Sequence, residues 1–345
     1  MSVAVPAVLA IDGGNSKSDL ALVADDGTLL ASARGPGMAS HLSLDEKLGI
    51  VRTLADQAQG QAARRGCPVA RHLSACVANA DLPEEEEEMA AALRARGWSA
   101  TTEVFNDTFA VLRAGLVTQV TDRSSASAGA PRRHWGVAVT CGAGINCVGV
   151  APDGRKTGFL ALGEITGDWG GGAGLGRAAL WWAMRAEDGR GPGTGLRGAV
   201  AAHFGVASVR QVAIHIHLGT VPKARLRELA PVVLAAAGDG DDVAMSLVRR
   251  QAGEVCSMAL TVMRRLGLTG LTTPVVLGGS LLAARDPLLT AGVTEGIRAA
   301  APQAAVCFTD VPPIAGAALL GLDHLGAGPE AERRLRASYA ERTAS

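Results

Sequence analysis

A three-strand pattern occurs twice in this chain of 345 residues. In each copy an apolar strand enters a glycine-rich turn, a second apolar strand follows, and an aspartate–glycine turn opens a third strand. The glycine-rich turns begin at Asp12 and Cys141, 129 positions apart, and the aspartate–glycine turns at Asp26 and Asp153 are 127 apart. This nearly constant offset indicates a duplicated domain that begins with an antiparallel meander.

The chain is longer than a single hydrophobic core usually extends, so two domains are predicted, residues 1–118 and 119–345. Helical stretches are predicted at 44–65 and 83–96 in the first half and at 175–266 in the second. Strands and helices together predict an α/β fold with a mixed sheet in each domain. Residues 121–133, rich in Ser, Ala, Gly and Pro, are expected to form an exposed insertion. The last helix is a candidate to pack back onto the first domain.

The charge balance excludes several classes of partner. Lys and Arg number 33, as do Asp and Glu, and no basic or acidic tail is present, so neither nucleic acid nor a membrane surface is an expected partner. No cationic segment precedes the short N-terminal apolar run, which predicts a cytoplasmic protein. The six cysteines lack zinc-type spacing. His215 and His217 would share a face only in a strand, and no third ligand is apparent, so no metal site is predicted there.

The two glycine-rich turns are candidate phosphate-binding loops. Successive backbone N–H groups in such a turn can bind an anion, and the missing Cβ atoms let a phosphate approach closely. In the first turn Ser16 and Lys17 add a hydroxyl and a positive charge, and Asp12 is suited to hold Mg²⁺ through water. An ordinary hairpin is the alternative for either turn alone. Neither turn fits a P-loop or a Rossmann fingerprint.

Asp107 follows an apolar strand at its carboxyl end, where α/β sheets usually present catalytic groups. A carboxylate there could accept the proton of an attacking hydroxyl, so Asp107 is the candidate general base. The alternative is an N-cap role on the following helix, which Asn106 or Thr108 could equally fill.

Further polar groups follow other predicted strands. Glu164 and Asp168 lie in a glycine-rich stretch before a helix predicted to begin near Leu175, and carboxylates there suit sugar hydroxyls. Trp169 could stack on a sugar ring or belong to the core. Asn79 and Asp81 stand at the end of another predicted strand. They could complete the pocket or form a plain polar turn, and the sequence favours neither interpretation.

The order of these motifs resembles the N-acetylglucosamine kinase and BadF/BadG/BcrA/BcrD ATPase family of the actin-like ATPase superfamily. The motifs are DGGNSKS, VFND, TCGAGIN, GEITGDWGGGAGLG and VVLGGS, and the likeness covers residues 7 to about 320. The resemblance implies two actin-like (ribonuclease H-like) domains with ATP in the cleft between them, and a homodimer. It implies ATP-binding positions at Gly13, Gly14, Asn15, Ser16, Lys17, Gly142, Ala143, Gly144, Asn146, Gly278, Gly279 and Ser280. It implies substrate-binding positions at Ser40, His41, Asn106, Asp107, Gly163, Glu164 and Asp168.

The chain departs from the family pattern at four positions. Ser40 stands where the family has an asparagine, Ala143 where it often has a hydroxyl, and Trp169 and Gly171 replace a glutamate and a serine. The expected function is an ATP- and Mg²⁺-dependent kinase acting on an amino sugar, first of all the 6-hydroxyl of N-acetylglucosamine. Glucosamine is an alternative substrate.

Two functions of other classes are also considered. An ATPase that activates a 2-hydroxyacyl-CoA dehydratase is the second candidate, and it would need cysteines at a dimer interface to hold an iron–sulfur cluster. A sugar-kinase-derived transcriptional regulator would need a DNA-binding helix-turn-helix, for which the short segment before the first strand leaves no room.

Overall fold

The computed structural model describes residues 6–61, 70–117 and 134–344. The predicted α/β class is confirmed, with two five-stranded sheets and flanking helices. The chain divides into two compact units. The first comprises Met1–Ala138, Val148–Lys156 and Cys307–Ser345, and the second Val139–Cys147 and Thr157–Val306. The predicted boundary at residues 118 and 119 and the predicted insertion at 121–133 lie outside the described residues.

The first sheet has the strand order β3-β2-β1-β4-β5. Strands β1, β2 and β3 pair antiparallel, as the meander pattern predicts, whereas β1, β4 and β5 run parallel. The sheet is therefore mixed. Its strands are β1 (Val8–Gly13), β2 (Lys17–Val23), β3 (Leu29–Pro36), β4 (Ala70–Val77) and β5 (Ser99–Asn106).

The second sheet has the order β10-β9-β6-β7-β8. Its third meander strand is short and ends at Gly158, whose carbonyl accepts a hydrogen bond from the Arg265 side chain (2.9 Å). The strands are β6 (Gly136–Cys141), β7 (Ile145–Val150), β8 (Lys156–Gly158), β9 (Pro274–Gly278) and β10 (Ala305–Phe308).

Twelve α-helices occur in the described part of the chain. In chain order they are α1 (Leu44–Gln61), α2 (Pro83–Arg94), α3 (Asp107–Gly115), α4 (Gly171–Glu187), α5 (Leu196–His203), α6 (Val209–His217), α7 (Ala230–Gly238), α8 (Asp242–Leu266), α9 (Ser280–Ala283), α10 (Pro287–Ala300), α11 (Pro313–His324) and α12 (Pro329–Ala344). In the described ranges none of them is long and apolar enough to cross a bilayer.

The first sheet is covered on both faces. Because neighbouring strand residues point to opposite faces, Leu9 and Ile11 pack in the cluster that includes α1 and α2, whereas Val8 and Ala10 pack with α3, α11 and α12. β1 is therefore apolar at every position from Val8 to Ile11, which is typical of a central strand buried on both sides.

A buried ion-pair network joins α3 to the two C-terminal helices. Arg113 is 2% exposed and makes paired hydrogen bonds with Asp323 on α11 (2.6 and 3.1 Å) and Glu332 on α12 (3.2 and 2.9 Å). Arg336 also binds Glu332 (2.9 Å). The C-terminal helices thus belong to the first unit.

Replacing Arg113 with methionine should lower the free energy of unfolding of the first unit by about 3 kcal/mol. The substitution removes the guanidinium that pairs with the buried carboxylate of Glu332 and the half-buried carboxylate of Asp323. Denaturant titration would measure the loss. Arg333, which pairs with Glu330 on the surface of α12, is a matched control, and Arg333→Met should cost less than about 1 kcal/mol. Equal effects of the two substitutions would contradict the importance of the buried network.

Candidate functional site

The register of the first sheet brings three strand ends to one edge. Gly13 of β1 is opposite Val77 of β4, which is opposite Asn106 of β5. Because these strands are parallel, the residues that follow each of them lie along the same edge of the sheet. The first glycine-rich turn, residues 78–81 and Asp107 are therefore neighbours within the first unit.

The first turn is a tight hairpin with an open outer side. Its Gly14 amide donates to the Lys17 carbonyl (2.9 Å), while the side chains of Asn15, Ser16 and Lys17 are exposed. Asn79, with a left-handed φ of 63°, donates from Nδ2 to the Asn15 side-chain oxygen (3.0 Å). Asn79 thus supports the turn, and its role in a pocket stays a prediction.

The residues after β3 are attached to the same turn. The Met38 amide donates to the Gly14 carbonyl (2.8 Å), and the Met38 side chain is fully buried. Ser40 and His41, the predicted substrate contacts, are exposed two and three residues farther on. Met38 was not identified from the sequence, because a methionine at this position is typical of an ordinary core residue.

Two carboxyl groups share this edge. Asp12 is 8% exposed, and its pKa is raised to about 8, first by burial and then by the negative charges of Asp107 and Asp19. Asp107 is half-buried, and removal from water raises the pKa of its carboxyl to about 6. Of the two groups, the Asp12 carboxyl is therefore the harder to ionise, because its pKa is raised further. Together the two carboxyl groups have the oxygen donors that a hard divalent cation prefers.

Asn106, not Asp107, caps α3. Its side-chain oxygen accepts from the Thr108 amide (2.9 Å), and its Nδ2 donates to Asp81 (2.7 Å). The alternative N-cap role for Asp107 is therefore wrong, because the side chain of Asn106 already caps the helix. The Asp107 carboxylate is not the N-cap, and it accepts a long hydrogen bond from the Thr108 hydroxyl (3.4 Å). Asp81 supports Asn106.

A cationic side chain near this edge was not identified from the sequence. The Lys156 ammonium lies 4.7 Å from the Phe105 ring centroid and 5.4 Å from that of Phe109. These two aromatic residues flank Asp107 in the sequence, four positions apart. Lys156 belongs to the second predicted meander, so no local pattern relates it to Asp107.

The second glycine-rich turn is packed against the start of α4. The Gly172 and Ala173 amides donate to the Gly142 and Ala143 carbonyls (2.7 and 2.9 Å). The helix begins at Gly171, so the prediction of a loop until Leu175 is wrong. Gly171 has a φ of 67°, and a Cβ there would lie 2.4 Å from the Gly144 carbonyl oxygen. Glycine is therefore required where the family pattern has serine.

Gln251 of α8 holds this junction together. Its side chain is fully buried, and Oε1 accepts a hydrogen bond from the Gly171 amide (2.9 Å). Gln251 was not identified from the sequence, since it lies in a long helix eighty positions away from its partner.

The predicted adenosine motif lies beside the same turn. β9 ends at Gly278, Gly279 has a φ of 80°, and α9 begins at Ser280. A Cβ on Gly279 would lie 2.5 Å from the Cys141 carbonyl carbon. The Asn146 side-chain oxygen accepts from the Cys147 amide (2.7 Å). The structure therefore brings Gly142, Ala143, Gly144, Gly278, Gly279 and Ser280 together within the second unit.

The predicted sugar-binding stretch contains internal contacts. Glu164 lies in a 3₁₀ helix, Gly163–Thr166, and pairs with Arg177 of α4 (2.7 Å). Asp168 accepts from the Thr166 hydroxyl (2.6 Å), and its amide donates to the Gly163 carbonyl (3.0 Å). These bonds shape the segment and orient both carboxylates.

Trp169 is half-buried, and the Arg250 guanidinium lies 3.9 Å from its ring centroid. One face of the indole is therefore covered by a cation, which excludes a sugar from that face.

The described cysteines do not offer a cluster site. Cys76, Cys141, Cys147 and Cys256 are buried and Cys307 is half-buried, while Cys67 lies outside the described residues. Burial raises the pKa of Cys141 to about 12, so this thiol is not a thiolate at neutral pH. His215 and His217 lie on α6, where positions two apart point to different sides, so they do not share a face.

Comparison with known proteins gives concordant matches. A curated N-acetylmuramic acid/N-acetylglucosamine kinase of Clostridium acetobutylicum is 25% identical over 278 residues, covering 80% of this chain and 85% of that protein. A solved structure from Chromobacterium violaceum, described as an N-acetylglucosamine kinase, matches 92% of this chain and 99% of its own with 24% identity and a TM-score of 0.69.

A ROK-family glucokinase from Streptomyces griseus, solved with glucose and AMPPNP, matches 92% of this chain and 98% of its own. Its identity is 14% and its TM-score 0.51, so this likeness concerns the fold. The model of one family matches residues 9–321, most of the chain. The chain therefore belongs to the BadF/BadG/BcrA/BcrD ATPase family.

Proposed function

We propose that this protein transfers the γ-phosphoryl group of ATP to a sugar hydroxyl, specifically the 6-hydroxyl of N-acetylglucosamine. The observation that carries the proposal is Asp107, a half-buried carboxyl group that does not cap α3 and lies at the same sheet edge as the first glycine-rich turn. The kinase relatives support the choice of an amino sugar.

In the proposed reaction Asp107 accepts the proton of the sugar hydroxyl while that oxygen attacks the γ-phosphorus. The bond between the γ-phosphorus and the bridging oxygen breaks, which gives ADP and a sugar phosphate, and the proton remains on Asp107. The exposed turn at residues 14–17 offers backbone amides and Lys17 to the phosphates. Gly142, Gly279 and Ser280 are proposed to contact the nucleotide as well.

Asp12 is proposed to hold Mg²⁺ through water, since a buried carboxyl beside a second carboxylate gains most from a cation. The ion, when bound, neutralises phosphate charge. Glu164, Asp168, Ser40 and His41 are proposed to contact the sugar. We further infer that the enzyme acts in the cytoplasm and that it is a homodimer. Light scattering on the purified protein would test the dimer.

A coupled ADP-release assay over a panel of hexoses and amino sugars tests the proposed function. N-Acetylglucosamine should stimulate ADP release most, with glucosamine and N-acetylmuramic acid as the informative competitors. If no sugar in the panel stimulates ADP release above the sugar-free rate, the proposal is wrong. Preference for glucosamine would replace the named substrate while keeping the reaction class.

The pH dependence of kcat/KM should report the Asp107 carboxyl. Because the base must be unprotonated, kcat/KM should fall about tenfold per pH unit below about 6 and level off above it. Rates would be measured at saturating Mg²⁺ between pH 5 and pH 8. Asp107→Glu should displace the profile while keeping its shape. A profile that is flat across pH 6 would rule out Asp107 as the titrating base.

A further inference from the structure

Three side chains with metal-binding atoms meet in the first unit, away from the candidate active site. They are His72 on β4, Glu103 on β5 and His324 at the end of α11. His72 is four residues before Cys76, the β4 partner of Asp12. At the usual rise per strand residue this separation is about 13 Å. The cluster is therefore distinct from the proposed phosphate and sugar contacts.

The donor atoms of the cluster converge. The Glu103 Oε2 atom lies 3.7 Å from His72 Nε2 and 3.2 Å from His324 Nδ1. The two imidazole rings are stacked, with centroids 3.9 Å apart and planes 15° from parallel. One ligand atom of each residue lies within 4.8 Å of the other two, so one ion with small side-chain adjustments can reach all three.

A hydrogen-bond chain through Thr101 bears on the tautomer of His72. The Thr101 hydroxyl oxygen lies 3.3 Å from the Arg71 carbonyl and 2.9 Å from His72 Nδ1. When the hydroxyl donates to the carbonyl, its oxygen accepts from Nδ1, and Nε2 presents a lone pair. A neighbour that holds the remote ring nitrogen in this way is the usual second partner of a metal-binding histidine.

The lone pair on His72 Nε2 has no partner within the described part of the chain. The side chain is 0% exposed, and Nε2 is a buried atom without a hydrogen bond. It lies 3.7 Å from the Glu103 carboxylate, so in the tautomer with Nδ1 protonated two electron-rich groups face each other. A buried acceptor left unpaired is costly, and a cation between these atoms would satisfy both.

We propose that His72 Nε2, a Glu103 carboxylate oxygen and a His324 ring nitrogen bind a divalent transition-metal ion of the zinc class. Two imidazoles with one carboxylate suit zinc, whereas Mg²⁺ prefers oxygen ligands. Three protein ligands leave a fourth position for water. The ion would tie the end of α11 to β4 and β5 and would stabilise the first unit by binding only the folded chain.

Zinc titration of the full-length, tag-free and chelator-stripped protein tests this proposal. Competition against a chromophoric chelator should show one equivalent of tightly bound Zn²⁺, and the ion should raise Tm by several degrees. Glu103→Ala and His324→Ala, both at surface-accessible positions, should each weaken binding more than about 100-fold. Thr101→Val removes only the acceptor of the Nδ1 proton and should weaken binding roughly 10–100-fold.

His217→Ala is the matched control, because His217 is an exposed histidine on α6, and it should bind zinc as the unchanged protein does. Substoichiometric zinc in the unchanged protein would overturn the proposal, as would unaltered affinity in His324→Ala. Co²⁺ substitution gives a second check. A thiolate charge-transfer band would assign the metal to cysteine and contradict the proposal, whereas nitrogen and oxygen ligation alone would support it.

Discussion

Replacing Asp107 with asparagine should lower kcat for sugar phosphorylation by about 10²–10⁴-fold. The amide keeps the size of the side chain but cannot accept the hydroxyl proton. Asn106 continues to cap α3 in the variant, so the helix and the sheet edge should stay intact. The KM for ATP should change little, because Asp107 is proposed to act on the sugar hydroxyl. Steady-state rates with N-acetylglucosamine would measure both parameters.

Asp56→Asn provides a matched control, since Asp56 is exposed on α1, and this variant should keep the activity of the unchanged enzyme. A full rate in Asp107→Asn would remove Asp107 from the chemistry. A large rise in the KM for ATP with unchanged kcat would place Asp107 in nucleotide binding instead, and would contradict its role as the base.

Replacing Asp12 with asparagine should lower kcat/KM at least about 100-fold and raise the Mg²⁺ concentration needed for activity. The same change should stabilise the ligand-free protein. The folded-state pKa of Asp12 is raised to about 8, so its contribution to stability is complete below about pH 3.8 and is lost as pH rises through about 8. The Tm advantage of Asp12→Asn should therefore grow between pH 4 and pH 8.

Asp25→Asn, at an exposed position in the turn between β2 and β3, should change neither activity nor the pH dependence of Tm. If Asp12→Asn kept its activity at low Mg²⁺, another group would have to hold the ion. If its Tm advantage were the same at pH 4 and pH 8, the Asp12 carboxyl would not be protonated in the ligand-free fold.

The strands could be predicted because local sequence patterns determine them. Apolar runs between turn residues predict the meander of β1, β2 and β3, and the repeat predicts β6 and β7. The start of α4 could not be predicted locally. Glycines favour a loop in isolation, and only the close approach of Gly171 to the turn at residues 142–144 explains a helix there.

Candidate site residues were predictable where they follow a strand and were missed where they act from a distance. Asp107 follows the end of β5, so the parallel register of β1, β4 and β5 places it near Asp12. Gln251 and Lys156 reach the candidate sites from remote segments, and nothing in their local sequence marks them. The same holds for His72, Glu103 and His324, which come from two strands and a C-terminal helix.

The most direct test of the proposed kinase activity is the fate of the γ-phosphoryl group. The protein would be incubated with ATP, Mg²⁺ and N-acetylglucosamine, and the products followed by phosphorus–proton correlation NMR. One sugar phosphate per ADP, with phosphorus coupled to the protons on carbon 6, is the predicted result. ADP accompanied only by inorganic phosphate, at a rate that the sugar does not change, would contradict it.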